Sequence, residues 1–129
     1  MPRFLNPPHV PRPASRYSQA VAVGPAAKRL IVSGQIGMNV AGELADGLEA
    51  QLAQAFDNFL ALVESAQMNA ADIVKITVYV TLPGSVEVYR RVRDEKLGKH
   101  LPTATYLEVA GLAHPGFLAE VEGEAIRES

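Results

Sequence analysis

Between Pro102 and Ile126 the chain alternates twice in a way that leaves few folds open. Thr103–Ala110 (TATYLEVA) and Leu118–Ile126 (LAEVEGEAI) read as two strands joined by the turn-rich loop Gly111–Phe117. Successive side chains on a strand point to opposite faces. One face therefore takes Thr105, Leu107, Val109, Ala119, Val121, Gly123 and Ala125, and suits a core. The other takes Ala104, Tyr106, Glu108, Glu120, Glu122 and Glu124. Glu120, Glu122 and Glu124 repeat roughly every 6–7 Å along one line, and no monomer core accepts unpaired carboxylates. That face meets water, a cleft or a subunit boundary; Tyr106 among the acids argues for one of the last two.

The upstream chain supplies what the core face needs. Met1–Arg16 carries five prolines in its first thirteen residues, so it forms an extended arm, either free or docked over the sheet. Gln19–Gly24 and Arg29–Gly34 are short, rich in Val and Ile and separated by a turn at Pro25–Lys28, which predicts a hairpin. Ser33-Gly34-Gln35 puts a hydroxyl and an amide at its end. Asp46–Met68 predicts a helix with Asp46 as cap and Glu49 completing a capping box. Leu48, Leu52, Phe56, Phe59, Leu60 and Val63 form its apolar stripe, and Gln51, Gln54, Asp57, Asn58 and Glu64 its polar side. Asp72–Thr81 (DIVKITVYVT) carries substantial apolar area on both faces and reads as a central strand. A second helix runs from Ser85, its cap, to Leu97, with Gly98 ending it and Arg90, Arg91, Arg93 and Lys96 on its outer side.

This order predicts an α/β (α+β) fold, a mixed sheet with two helices on one face. The opposite face would hold Lys75, Thr77, Tyr79, Tyr106 and the carboxylate row, too aromatic for plain surface and too polar for a core. Closing it against copies of itself in a ring favours a cyclic homo-oligomer with clefts between subunits.

At 129 residues the chain is one domain, residues 1–129, with 1–16 as the arm. It has no cysteine, which excludes a disulfide framework, a thiolate metal site and a thiol nucleophile. A net charge of −2 gives no overall attraction to nucleic acid. No apolar run approaches the length of a membrane span, and a cytoplasmic protein is the expectation. His9, His100 and His114 are scattered without ligand spacing, so no metal is expected.

FLNPP near the start, RYSQAVAVG, IVSGQIG, QLAQAFDNFLALVESA, DIVKITVYVT, LPTATYLEVAGL and EVEGEA together resemble the Rid (YjgF) family, in order and over nearly the whole chain. The resemblance implies a chorismate-mutase-like fold and a homotrimer centred on a β-barrel, with small-molecule sites in the clefts between subunits. It also implies hydrolysis of reactive enamines and imines, products of pyridoxal-phosphate enzymes, to keto acids and ammonia without metal or bound cofactor. Tyr17 matches the family's cleft tyrosine, although Ser15-Arg16 replaces the usual Gly-Pro before it. Ser33 matches the serine of the SGQ turn, and Glu120 the acid that holds the attacking water. Arg90 falls near the family's helix asparagine, and His114 lies in a loop within reach of the cleft.

The strand after Pro102 departs from that pattern. Ala104 stands where the deaminase branch has the arginine that clamps the substrate carboxylate, and Tyr106 where many deaminases have a cysteine. The resemblance thus implies a hydrolase with Glu120 and Tyr17 as its catalytic groups, acting on an enamine or imine other than the usual amino-acid-derived one. The alternative is a non-catalytic trimer that binds a metabolite or partner protein in the same clefts. Ribonuclease activity is disfavoured by the acidic balance and by the lack of a catalytic histidine pair.

Overall fold

The computed structural model describes residues 2–8, 13 and 15–128; His9 and the neighbouring part of the arm lie outside them. In chain order the elements are β1 (Arg3–Leu5), β2 (Ala20–Ala22), β3 (Ala27–Ile36), α1 (Leu48–Ser65), β4 (Ile73–Val80), α2 (Val86–Leu97), β5 (Thr103–Glu108) and β6 (Ala119–Glu128). Four of the strands form one mixed sheet in the order β3-β6-β4-β5. β6 runs antiparallel to both neighbours, and β4 and β5 are parallel. A parallel pair needs a crossover, and α2 supplies it. Among the described residues no helix is long and apolar enough to cross a membrane.

The predicted hairpin does not form. β3 is ten residues long and pairs along its length with the equally long β6, an offer that the three-residue β2 cannot match. β2 pairs instead with β1 of the arm, Phe4 opposite Val21, and Phe4 sets its ring edge-on to His100 with centroids 5.2 Å apart. So the arm docks. The last two strands are not neighbours either, because β4 inserts between them.

Burial fixes the faces. Ile76, Val78 and Val80 of β4 and Ala119, Val121 and Ala125 of β6 are fully buried with Leu52, Phe56 and Phe59 of α1. At Gly123 a Cβ would strike the Lys75 carbonyl and the Phe59 ring, so only glycine lets α1 settle this close. The core face read from sequence is thus right for β6 and inverted for β5. Ala104 lies opposite Ile76 and Tyr106 opposite Val78, and both pack on the core. Thr105 and Leu107 turn outward. The cause is α2, whose Tyr89 stacks on Tyr106 at 5.1 Å between centroids and 21° between planes.

Neither helix start is bonded by the side chain the sequence suggested, although Ser85 does hold the N-cap position of α2. Gly47, at φ 88°, precedes α1 with no side-chain cap, so Asp46 plays no such part. The helix start is held by buried Gln51, which donates to the carbonyls of Ala45 and Gly116 (3.1 Å each) and accepts from the Leu118 N–H (2.8 Å). At α2 the Ser85 hydroxyl donates back to Leu82, and Glu108 of β5 accepts from the Gly84 N–H at 2.9 Å and the Ser85 N–H at 3.4 Å. Gly98, at φ 60°, ends α2 as expected.

Phe56 is fully buried, so Phe56→Ala is expected to lose about 3–5 kcal/mol, read as a lower urea midpoint at unchanged slope. Gly123→Ala is expected to cost about 1–3 kcal/mol by overpacking. A wild-type midpoint in both variants would contradict this packing of α1 on β6.

Candidate functional site

The first constellation is built by the start of β5. The Ser18 N–H donates to the Pro102 carbonyl at 2.8 Å, its hydroxyl donates to Leu101, and Ser18 bridges to Thr103. Those bonds hold the adjacent Tyr17 beside Ala104. Opposite them α2 presents Val86, Tyr89, Arg90 and Arg93, spaced as one stripe of a helix. With Ser15 and Tyr106 these residues line a cavity of about 250 Å³. Among the described residues two guanidinium groups, three phenols and a hydroxyl face it, and no carboxylate lines it.

Arg93 was expected on the outer side of α2; it is 2% exposed. Its Nε donates to Asp94 Oδ1 at 3.1 Å, and its Nη1 makes long bonds to the Tyr89 hydroxyl (3.4 Å) and Ser15 Oγ (3.5 Å). The guanidinium carbon lies 5.1 Å from the centre of the Tyr89 ring. Arg90, nearer the rim, pairs with Glu87 at 2.8 Å.

The phenols are tuned as donors. Burial, reinforced by a 2.8 Å bond from its hydroxyl to Glu108, pushes the Tyr106 pKa up to about 12. Burial also raises Tyr89, with Arg93 opposing it. The bond from Tyr106 lowers Glu108, aided by the two backbone N–H groups at the α2 start. At neutral pH both tyrosines keep their protons and can give hydrogen bonds but not act as bases.

The second constellation lies on the opposite face of the sheet. Between Val32 and Gln35, β3 spends one residue more than β6 does between Gly123 and Val121, a bulge at Ser33-Gly34. The Glu120 carboxylate occupies the space a Cβ on Gly34 would need. Gly34, the middle residue of the Ser33-Gly34-Gln35 tripeptide, thus makes the room that Glu120 takes. Tyr79 lies opposite Glu120 in register, but its hydroxyl donates to Glu122 at 2.7 Å, a bond that raises its pKa. Glu124 accepts from Arg29 Nε at 3.2 Å and Nη2 at 3.1 Å.

Of the residues singled out from sequence, Tyr17, Ala104, Tyr106 and Arg90 come together at the cavity. Glu120 meets Gly34 on the other face, while the neighbouring Ser33 lines a shallow groove with Leu30, Val32, Leu62 and Ser65. Tyr106 and Glu108 do not join the carboxylate row, and His114 lines neither constellation: its Nδ1 accepts from the Gly116 N–H at 3.1 Å and its ring lies 5.1 Å from that of Phe117. Sequence reasoning missed Ser15, Tyr89 and Arg93 as cavity residues. Tyr89 and Arg93 were signalled only by their i, i+4 spacing on the stripe begun by Val86.

Tyr106 ionises at higher pH in the folded than in the unfolded chain, where its value is 10.0. Its phenol therefore contributes stability that is complete below about pH 10 and is lost as pH rises through about 12. An ultraviolet titration of phenolate absorbance should show a late step that Tyr106→Phe removes. Ionisation of all four tyrosines around the ordinary value in the folded protein would contradict this.

Comparison with known proteins follows the same lines. The family model described as endoribonuclease L-PSP matches residues 8–127. A RutC family protein from Aquifex aeolicus is 41% identical over 80 residues, 61% of this chain and 62% of that protein. A protein from Dermatophagoides farinae named 2-iminobutanoate/2-iminopropanoate deaminase is 33% identical over 126 residues, 96% of this chain and 94% of its own. Among solved structures, YyfB of Yersinia pestis, described as a Rid family protein of unknown function, superposes with a TM-score of 0.85 at 27% identity, covering 96% of this chain and 97% of that one.

Proposed function

The chain belongs to the endoribonuclease L-PSP (YjgF/Rid) family, and from that premise we propose that it hydrolyses a small enamine or imine to a carbonyl compound and ammonia. It acts in the cytoplasm, as a homotrimer, with its own side chains. The observation that carries the reading is the cavity shared by Tyr17, Tyr89 and Tyr106, concave, small and lined by three phenols, of which Tyr89 and Tyr106 are held in their protonated form. Imine hydrolysis needs a proton donor at nitrogen and a base for the attacking water. Tyr17 serves as the donor. Water adds to the carbon, its proton passes to a carboxylate, and the carbinolamine collapses to the carbonyl compound with loss of ammonia.

The carboxylate is Glu120, positioned by the Ser33-Gly34 bulge. It stands on the far side of the sheet from the cavity of its own protomer, so the acid comes from a neighbouring copy. Trimer closure over the outward face supplies that copy, and it covers Ile31 and Leu107, which are 66% and 43% exposed on that face. Glu122 and Glu124, already held by Tyr79 and Arg29, are boundary residues. Ala104 provides no cation, so the substrate is not gripped from β5 as in the deaminase branch. RNA cleavage is less well supported, because a net charge of −2 does not draw a phosphate backbone.

One observation favours a second reading: among the described residues of a protomer no carboxylate lines the cavity. A trimer that binds a metabolite without turning it over would look the same. The test generates imines in situ with an amino-acid oxidase and follows carbonyl product over the buffer rate. Acceleration is expected in wild type, with Glu120→Gln slower by about a hundredfold or more and Glu124→Gln little changed. Light scattering should give three times the chain mass. Damage from Glu124→Gln with a silent Glu120→Gln would sink the site assignment, and no acceleration of any imine would leave only the binding reading.

A further inference from the structure

The cavity contains an unmet demand that points to the charge of its ligand. Arg93 is almost wholly buried, at 2% exposure. A buried guanidinium normally has its N–H groups matched by acceptors, since leaving one unmade costs the desolvation of that group. Here Nε is matched, and Nη1 makes only the two long bonds to hydroxyls. Nη2 makes no hydrogen bond at all among the described residues. It does lie 3.0 Å from Asp94 Oδ1, but that oxygen already receives Nε–H and the Nη2 hydrogens are not aligned with it. The pair is an electrostatic contact, not a hydrogen bond.

Charge on the cavity walls points the same way. Arg93 and Arg90 both line it, no Asp or Glu among the described residues does, and the remaining polar groups are hydroxyls. Asp94 is turned to the flank, where it also meets Arg16 Nε at 3.6 Å. The acids of the sheet lie elsewhere: Glu120, Glu122 and Glu124 on the opposite face, and Glu108 at the start of α2.

We propose that α2 carries an anion-recognition point of this cavity, with Arg93 at its buried end and Arg90 at its rim, so that the ligand is a small organic anion. This deepens the reading of the same site given above. Arg93 acts by binding, as a guanidinium with N–H groups still to be matched. Arg90 supports it from a position where Glu87 already holds one Nη. Val86, Ala104 and the Tyr17 ring take the ligand's body. A volume of about 250 Å³ falls below that of drug-sized pockets, so the ligand is a compact metabolite. A planar fork fits a carboxylate or a phosphoryl group.

The test separates binding from turnover by using a probe with no C=N bond. Amide and side-chain shifts in NMR are followed while 2-oxobutanoate, its uncharged analogue butanone, or inorganic phosphate is added to the full-length protein. The oxo acid is expected to shift signals of Tyr17, Ala104 and Tyr106 and to bind at least about tenfold more tightly than butanone. Phosphate binding at the same signals with higher affinity than the oxo acid would identify a phosphoryl group as the preferred anion, with the recognition point unchanged. Arg93→Gln should lose about tenfold or more, and Arg90→Gln should lose less. Should Arg93→Gln fail to fold, Ala104→Leu keeps Arg93 and fills the cavity from the opposite wall, and it should abolish the shifts.

Equal affinity for butanone and 2-oxobutanoate would overturn the proposal. So would undiminished anion binding in a folded Arg93→Gln, or in Ala104→Leu, and so would shifts confined to Ser33 and Glu120. A protein that binds the oxo acid through Arg93 yet hydrolyses no imine keeps this inference and loses the hydrolase.

Discussion

Register in β6 is the constraint on which the other elements depend. The strand places Ala119, Val121, Gly123 and Ala125 under α1 and Glu120, Glu122 and Glu124 on the reverse side. A one-residue slip would exchange the two sets and bury three carboxylates, each at several kcal/mol. Gly123 adds a steric lock, because no other residue fits between the Lys75 carbonyl and Phe59. β3 and β4 both take their register from this strand, although it is the last to be made. The bulge in β3 is where its frame is adjusted to that fixed partner, and Gly34 is the residue that lets the adjustment pass over Glu120.

A second consequence is the separation of charge across the sheet. Carboxylates are kept on the outward face, where Tyr79 and Arg29 hold two of them. Between α2 and β5 the cavity is faced instead by the guanidinium groups of Arg90 and Arg93. Glu108 is the exception that holds this arrangement together. It caps α2 from β5 and takes the Tyr106 hydroxyl, so one carboxylate fixes the helix start, the strand end and the stacked tyrosines between them. The cavity is the space left between α2 and β5, which Glu108 ties at one end, while Ser18 fixes the segment carrying Tyr17 to the start of β5 at the other.

Periodicity made the elements legible and pairing partners illegible. The apolar stripe of α1, the Val- and Ile-rich β4, the glycine stop after α2 and the alternation of β6 could each be read locally. β5 could not, because its alternation of Thr, Ala, Tyr and Leu fits either face, and only the Tyr89 ring on α2 decides. The hairpin failed for a similar reason: turn chemistry at Pro25 is local, whereas the competing partner of β3 lies at the end of the chain. Polar residues misled most. Gln51 and Arg93 sit among buried neighbours because each meets groups from distant loops or from the cavity, which composition cannot reveal. Tyr17, Arg90, Ala104 and Tyr106 were grouped through family likeness, and their meeting at one cavity follows from Ser18 and α2 rather than from any motif.

The alanine at residue 104 and the arginine at residue 93 are best understood together. An arginine on β5 at that position would project toward the stripe of α2 that already carries Arg90 and Arg93, placing three cations around about 250 Å³ with no acid among the described residues of the wall. Like charges at such range repel strongly where water is sparse. Tyr106, stacked on Tyr89, also occupies the adjoining space that a long side chain would need. A cavity with its cation on the helix therefore excludes one on the strand. The small residue at 104 does not leave the cavity without a charge; it gives the ligand's body the room that lets its charged end reach deeper, toward α2.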